Sequence, residues 1–156
     1  SLVKKEKDLG KALKFAHKYS DLALVDEYIK GKEITCAVLG NSKPIPLPLV
    51  EIVTKNDFFD YQAKYSESGA QEISPARVGK RITKKIQDLA VKVYKVLGCK
   101  GFARVDFILK DNTDPVILEI NTIPGLTPMS LLPKAALAAG VDYASLIERI
   151  IKYAVK

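Results

Sequence analysis

The chain has 156 residues, of which 47% are hydrophobic and 28% charged, enough to bury a core within one soluble globular unit. Its formal net charge is +7, which points to an anionic partner, and both nucleotide phosphate and nucleic acid qualify. No apolar run approaches the roughly 20 residues of a membrane span and no signal peptide opens the chain, so a cytoplasmic setting is expected.

In chain order, Lys5 to Tyr19 has the spacing of an amphipathic helix, with Leu9, Ala12, Leu13 and Ala16 on one stripe and the lone His17 at its surface. Leu22 to Tyr28 reads as an apolar strand. Lys30 to Glu33 then turns into a second strand, Ile34 to Leu39, and Gly40-Asn41-Ser42 forms another turn. Prolines 44, 46 and 48 confine the next stretch to an edge strand or an extended segment, because each removes a ladder donor. Residues 58–75 are polar and aromatic without a clear period, and a connection of that length is usually functional or mobile. Thr83 to Leu97 is the strongest helix pattern, with Ile86, Leu89, Ala90, Val93, Tyr94 and Leu97 on one face and Gly98 able to close it.

Two apolar runs follow, Phe102 to Leu109 and Pro115 to Ile120, separated by Lys110-Asp-Asn-Thr-Asp114, which predicts a β-hairpin. Side chains alternate along a strand, so Arg104 and Asp106 share a face, as do Glu119 and Asn121, and antiparallel pairing can bring all four together. Charges placed within apolar strands are costly to bury unless paired or bound to metal. Three oxygen-bearing side chains beside an arginine suit a Mg-phosphate site, and a structural salt-bridge lattice on a solvated face would use the same residues. After Asn121, Thr122 to Ser130 carries two prolines and a glycine and leads into a helix from Leu131 to Ala139 with Ser130 at its N-cap. Helix N-termini can hold a carboxylate or phosphate, although most simply begin helices. Asp142 caps a final helix whose predicted buried stripe is Leu146, Ile147, Ile150, Ile151 and Ala154. Cys36 and Cys99 lie in apolar contexts without metal-ligand spacing and read as buried free thiols. Hairpins mixed with helices on one side of a sheet argue for an α+β fold.

The segments GFARVDFIL, ILEINTIPGLTPMSLLPKAALAAG and YQAKY together resemble the D-alanine–D-alanine ligase family of the ATP-grasp superfamily, over about Val3 to Lys156. The resemblance implies the ATP-grasp carboxy-terminal lobe over 31–156, a mostly antiparallel sheet with helices packed on it, and over 1–30 the last helix and strand of the central lobe. It implies ATP and two Mg ions, with Mn able to substitute, and Asp106, Glu119 and Asn121 as metal ligands. Asp26, Glu27, Tyr28 and Glu33 match adenine, hinge and ribose contacts, and Ile108 and Leu118 match the adenine pocket. Strand alternation supports Ile108 but sets Leu118 opposite Glu119.

Lys64 matches a phosphate-contacting lysine and Tyr65 a tyrosine that helps close over the substrate; the pair favours a D-alanine over a D-lactate nucleophile. Arg104 and the Gly125 N–H resemble oxyanion donors, and Ser130 with the Leu131 N–H would hold the carboxylate of the second D-alanine. The chemistry implied is ATP-dependent joining of two D-alanines through an acyl phosphate for peptidoglycan precursors, in a full-length protein expected to be a homodimer. Family parts that precede these motifs, the amino-terminal domain and most of the central lobe, are not in the chain, so little or no ligase activity is expected of it alone. The alternatives are another ATP-grasp carboxylate–amine ligase, for which PGLTPMSL and Lys64-Tyr65 would be unusual, and a non-catalytic nucleotide-binding module, against which the retained charged strands argue. No GxxxxGK[ST], no GxGxxG and no nucleic-acid motif occurs, so neither a nucleic-acid nor a membrane partner is expected.

Overall fold

The computed structural model describes residues 1–53 and 71–155. A 3-10 turn at Glu6–Asp8 leads into helix α1 (Leu9–Ala16), followed by strands β1 (Gly31–Leu39), β2 (Ile45–Pro46), β3 (Val50–Val53) and β4 (Gln71–Ile73). Helix α2 (Lys80–Val96), the hairpin β5 (Phe102–Lys110) and β6 (Asp114–Asn121), and helices α3 (Leu131–Ala138) and α4 (Tyr143–Ala154) complete the order. The described strands form one antiparallel sheet in the order β4-β3-β1-β5-β6, with the short β2 paired beside β1. This is the expected α+β architecture.

Alternation along β1 and β5 assigns the two faces. Ile34, Cys36, Val38, Ala103, Val105, Phe107 and Leu109 point into a core closed by Ile86, Ala90 and Tyr94 of α2. Ala37 and Leu39 point the other way, into a second core with Leu132, Ala135 and Ala136 of α3 and Leu146 of α4. The helices therefore cover both faces, not one as expected, because β1 is apolar at every position from Cys36 to Leu39 and has to be covered on both sides. Val50 of β3 joins this second core, and Lys134 of α3 reaches Glu72 of β4. The same face carries Glu33, Thr35 and Asp106, and Thr35 and Asp106 are buried.

Several boundaries differ from expectation. Leu22 to Tyr28 forms no strand: no strand of the described sheet includes it, so its apolar run is not part of a ladder. The first helix is shorter than Lys5 to Tyr19, and β1 begins at Gly31, where a turn was expected. Gly31 is needed there because a Cβ would lie 2.5 Å from the Leu109 carbonyl oxygen. The alternate prolines reduce their stretch to the two-residue β2. On α4 only Leu146 is fully buried, and Ile151 is 58% exposed.

Other expectations stand. Gly98, with φ of 64°, follows α2, and Asp142 caps α4 by accepting from the Ser145 N–H at 3.0 Å. Asp111 and Asn112 at the hairpin tip take φ of 49° and 56°, the left-handed pair that a tight turn between twisted strands requires and that Asp and Asn tolerate. Cys36 is buried and Cys99 half-buried, both free, and burial pushes the Cys36 thiol up to about 12. His17 lies at the surface beside the Ser20 carbonyl. No helix among the described residues is long and apolar enough to cross a membrane.

Candidate functional site

The hairpin register places Arg104 opposite Asn121 and Asp106 opposite Glu119. All four share the second sheet face, joined from β1 by Glu33, opposite Ile108, and by Thr35, opposite Asp106. The Arg104 guanidinium grips both Asp106 oxygens, Nε to Oδ1 at 2.7 Å and Nη2 to Oδ2 at 2.8 Å, in a largely buried bidentate pair. The Asp106 hydrogen bonds, and then the charges of Asp106, Glu119 and Glu33, raise the Arg104 pKa above its ordinary value against the opposing effect of burial. Asp106 is bonded to the guanidinium, and Glu119 and Glu33 lie on the same sheet face, so negative charge gathers there in a basic protein.

The hairpin is not regular. Asp106 pairs with Glu119 but Phe107 pairs with Ile117, so Leu118 is an extra residue in β6. Such a bulge bends the strand and breaks strict alternation, which removes the objection that Leu118 must face away from Glu119. Leu118 is 52% exposed and Ile108 half-buried.

Beyond β6 the chain turns at once, the Ile123 N–H donating to Asn121 Oδ1 at 3.0 Å. The loop to α3 is pinned by the Tyr143 hydroxyl, which donates to the Leu126 carbonyl at 2.7 Å. Ser130 occupies the N-cap position of α3, but its hydroxyl makes no cap bond and lies 2.8 Å from Thr127 Oγ1. The expected capping serine is thus replaced by a serine turned back into its own loop. Gly125 permits this, since a Cβ there would meet Ser130 Oγ at 2.8 Å. Leu131 begins α3, where first-turn N–H groups have no intrahelical acceptor.

Asp26, Glu27 and Tyr28 lie apart from the hairpin in sequence and in lining. Together with residues 23–25, α1 and Ser1 to Val3 they border an open groove of about 450 Å³, and no residue of the hairpin lines it. Lys64 and Tyr65 fall outside the described residues. Among the described residues no three of His, Cys, Asp and Glu gather as a metal site. The expected set has only two carboxylates, its third member being the Asn121 amide, and the oxygens of Asp106 and Asn121 are engaged by Arg104 and the Ile123 N–H.

Sequence reasoning missed Thr35, buried beside Asp106, and Thr127 and Tyr143, which hold the loop. It also missed two ion pairs that tie β3 and β4 to other parts of the chain. Lys134 of α3 meets Glu72 of β4 at 2.6 Å. Glu51, buried on β3, accepts from the Arg77 N–H, Nε and Nη2 at 3.0 to 3.1 Å, bonds that hold its carboxyl below the ordinary range. Only the period-two position of Thr35 was visible in advance; the others depend on contacts across the fold.

Residues 1–152 match the family described as D-ala D-ala ligase C-terminus. The D-alanine–D-alanine ligase of Pelotomaculum thermopropionicum is 46% identical over 156 residues, covering 100% of this chain and 49% of the relative. Among solved structures, the ligase from Coxiella burnetii matches 99% of the chain and 40% of its own with a TM-score of 0.86 at 34% identity. A Bacillus anthracis D-alanine–D-alanine ligase complexed with ATP matches 99% of the chain and 50% of its own with a TM-score of 0.83, also at 34% identity. The chain spans about half the length of the relatives it matches. It belongs to the D-alanine–D-alanine ligase family, and what it corresponds to is the carboxy-terminal portion.

Proposed function

We propose that this chain is the catalytic carboxy-terminal lobe of an ATP-dependent D-alanine–D-alanine ligase, with residues 1–30 completing a neighbouring central lobe. The observation that carries this is the hairpin register, which sets Arg104, Asp106, Glu119 and Asn121 face to face. The donor set is all oxygen and suits a hard divalent cation, so Asp106, Glu119 and Asn121 would hold Mg once Asp106 and Asn121 turn from their present partners. When bound, the ions neutralise triphosphate charge and orient the γ-phosphoryl group. Ile108 and Leu118 line the adenine, the bulge at Leu118 supporting the second assignment. Glu33 takes the ribose, and Asp26, Glu27 and Tyr28 the adenine edge and hinge; Lys64 contacts phosphate and Tyr65 closes over substrate.

In this reading the carboxylate of the first D-alanine attacks the γ-phosphorus, breaking the bond to ADP and giving an acyl phosphate. The amine of the second D-alanine attacks the carbonyl carbon, a tetrahedral oxyanion forms, and its collapse expels phosphate and leaves the amide. Arg104 and the Gly125 N–H face the oxyanion, and Ser130 with the Leu131 N–H receives the second carboxylate. Catalysis rests on positioning and charge, with no protein nucleophile. The dipeptide serves peptidoglycan precursor synthesis in the cytoplasm, and the full-length ligase is a homodimer.

The test is D-alanine- and ATP-dependent dipeptide formation by the full-length ligase that carries this chain. Dipeptide with one ADP per bond supports the assignment; ADP release without dipeptide, or no turnover, overturns it. The 156-residue chain alone is expected to form none.

A further inference from the structure

We infer that Thr127 is a positioning residue that sets the direction of the Ser130 hydroxyl, so that Ser130 donates to the carboxylate of the incoming amine substrate. The inference rests on the reading of Ser130 above and adds a residue to it. Three observations converge. Thr127 Oγ1 and Ser130 Oγ are 2.8 Å apart, so one hydroxyl donates to the other. The backbone repeats the link, the Ser130 N–H donating to the Thr127 carbonyl at 2.8 Å, which fixes the two residues as one short turn. Gly125 leaves the space that Ser130 Oγ fills, a Cβ there lying 2.8 Å away.

A serine hydroxyl has one proton and rotates freely unless something fixes it. At an ordinary N-cap the oxygen accepts from the backbone N–H groups of the first turn, but Ser130 makes no such bond. With a carboxylate at the start of α3, which can only accept, the Ser130 proton goes to the carboxylate and Thr127 becomes the donor to Ser130. Two hydrogen bonds in series then polarise each other and strengthen the outer one. The Ser130 N–H is already spent on Thr127, so the hydroxyl and the Leu131 N–H form the pair left to face the anion. The loop backbone that carries this arrangement is itself tied to α4 through Tyr143 and the Leu126 carbonyl.

Steady-state kinetics of the full-length ligase with Thr127→Val and Thr127→Ser, varying D-alanine and ATP separately, test this. Valine keeps the shape and removes the hydroxyl, and it is expected to raise the KM for the second D-alanine about five- to tenfold, the scale of one lost neutral hydrogen bond. The KM for ATP should stay within about twofold, and Thr127→Ser should restore the wild-type value, which a purely structural role of the threonine methyl would not. A valine variant with unchanged KM, or a serine variant as impaired as valine, overturns the inference. A wild-type ligase that makes no dipeptide in the same assay overturns the proposed function, and this inference with it.

Discussion

The first thirty residues and the remainder of the described chain solve the same problem in different ways. From Gly31 onward helices pack on both faces of the sheet, and side chains such as Tyr94, Phe107 and Leu132 are under 2% exposed. Before Gly31 no residue is buried, and Leu22 and Leu24 are 85% and 87% exposed. The contrast teaches that apolar content alone does not make a core. Burial needs partners of complementary pattern: β1 and β5 supply them to each other and to α2, whereas α1 and residues 23–28 border an open groove and none of their residues is buried.

Substitutions can break this comparison, beginning at the site the sheet carries. Glu119→Ala with Asn121→Ala is expected to lower dipeptide formation by the full-length ligase by about a hundredfold or more, measured as kcat/KM for ATP, if the two side chains supply two of the three oxygen ligands proposed above for Mg. Within the sheet, Gly31→Ala drives a Cβ into the Leu109 carbonyl and should cost about 2–4 kcal/mol, read from urea unfolding of the 156-residue chain.

Glu51→Gln should cost about 1–3 kcal/mol at pH 7 by weakening a buried, fully bonded carboxylate. Because Arg77 holds the folded Glu51 pKa below the ordinary 4.5, its contribution is complete above about pH 4.5 and is lost as pH falls through the lower folded value. Melting temperatures across pH 3 to 6 should therefore converge for parent and variant at the acid end. Tyr143→Phe should leave global stability within about 1 kcal/mol while speeding amide exchange at residues 123–130.

The smallest effect sharpens the comparison most. Deleting residues 1–20 should change the unfolding free energy of the chain by under about 1 kcal/mol, because none of them is buried. A loss of several kcal/mol would show that the two regions share a core.

Much of the site was legible in advance because strand alternation is a local rule. Arg104 and Asp106 share a face wherever β5 is a strand, and any in-register hairpin brings Glu119 and Asn121 across from them. The bulge at Leu118 was not legible, since an extra residue in one strand shows only against the partner's register. Nor was the Ser130 hydroxyl's turn toward Thr127: the residues N-terminal to α3 spelled an N-cap, and the space left by Gly125 decided otherwise.

By itself the sequence determined the apolar periods of α2, β1, β5 and β6, the hairpin turn between Lys110 and Asp114 and the carboxylate–arginine pattern, all of which follow from spacing and residue chemistry within a few positions. The tertiary structure alone decided which face each helix covers, that Leu22 to Tyr28 stays outside the sheet, and that Glu51 finds Arg77 and Lys134 finds Glu72. Those outcomes join residues from 26 to 62 positions apart, and closing such loops depends on what the rest of the chain has already buried.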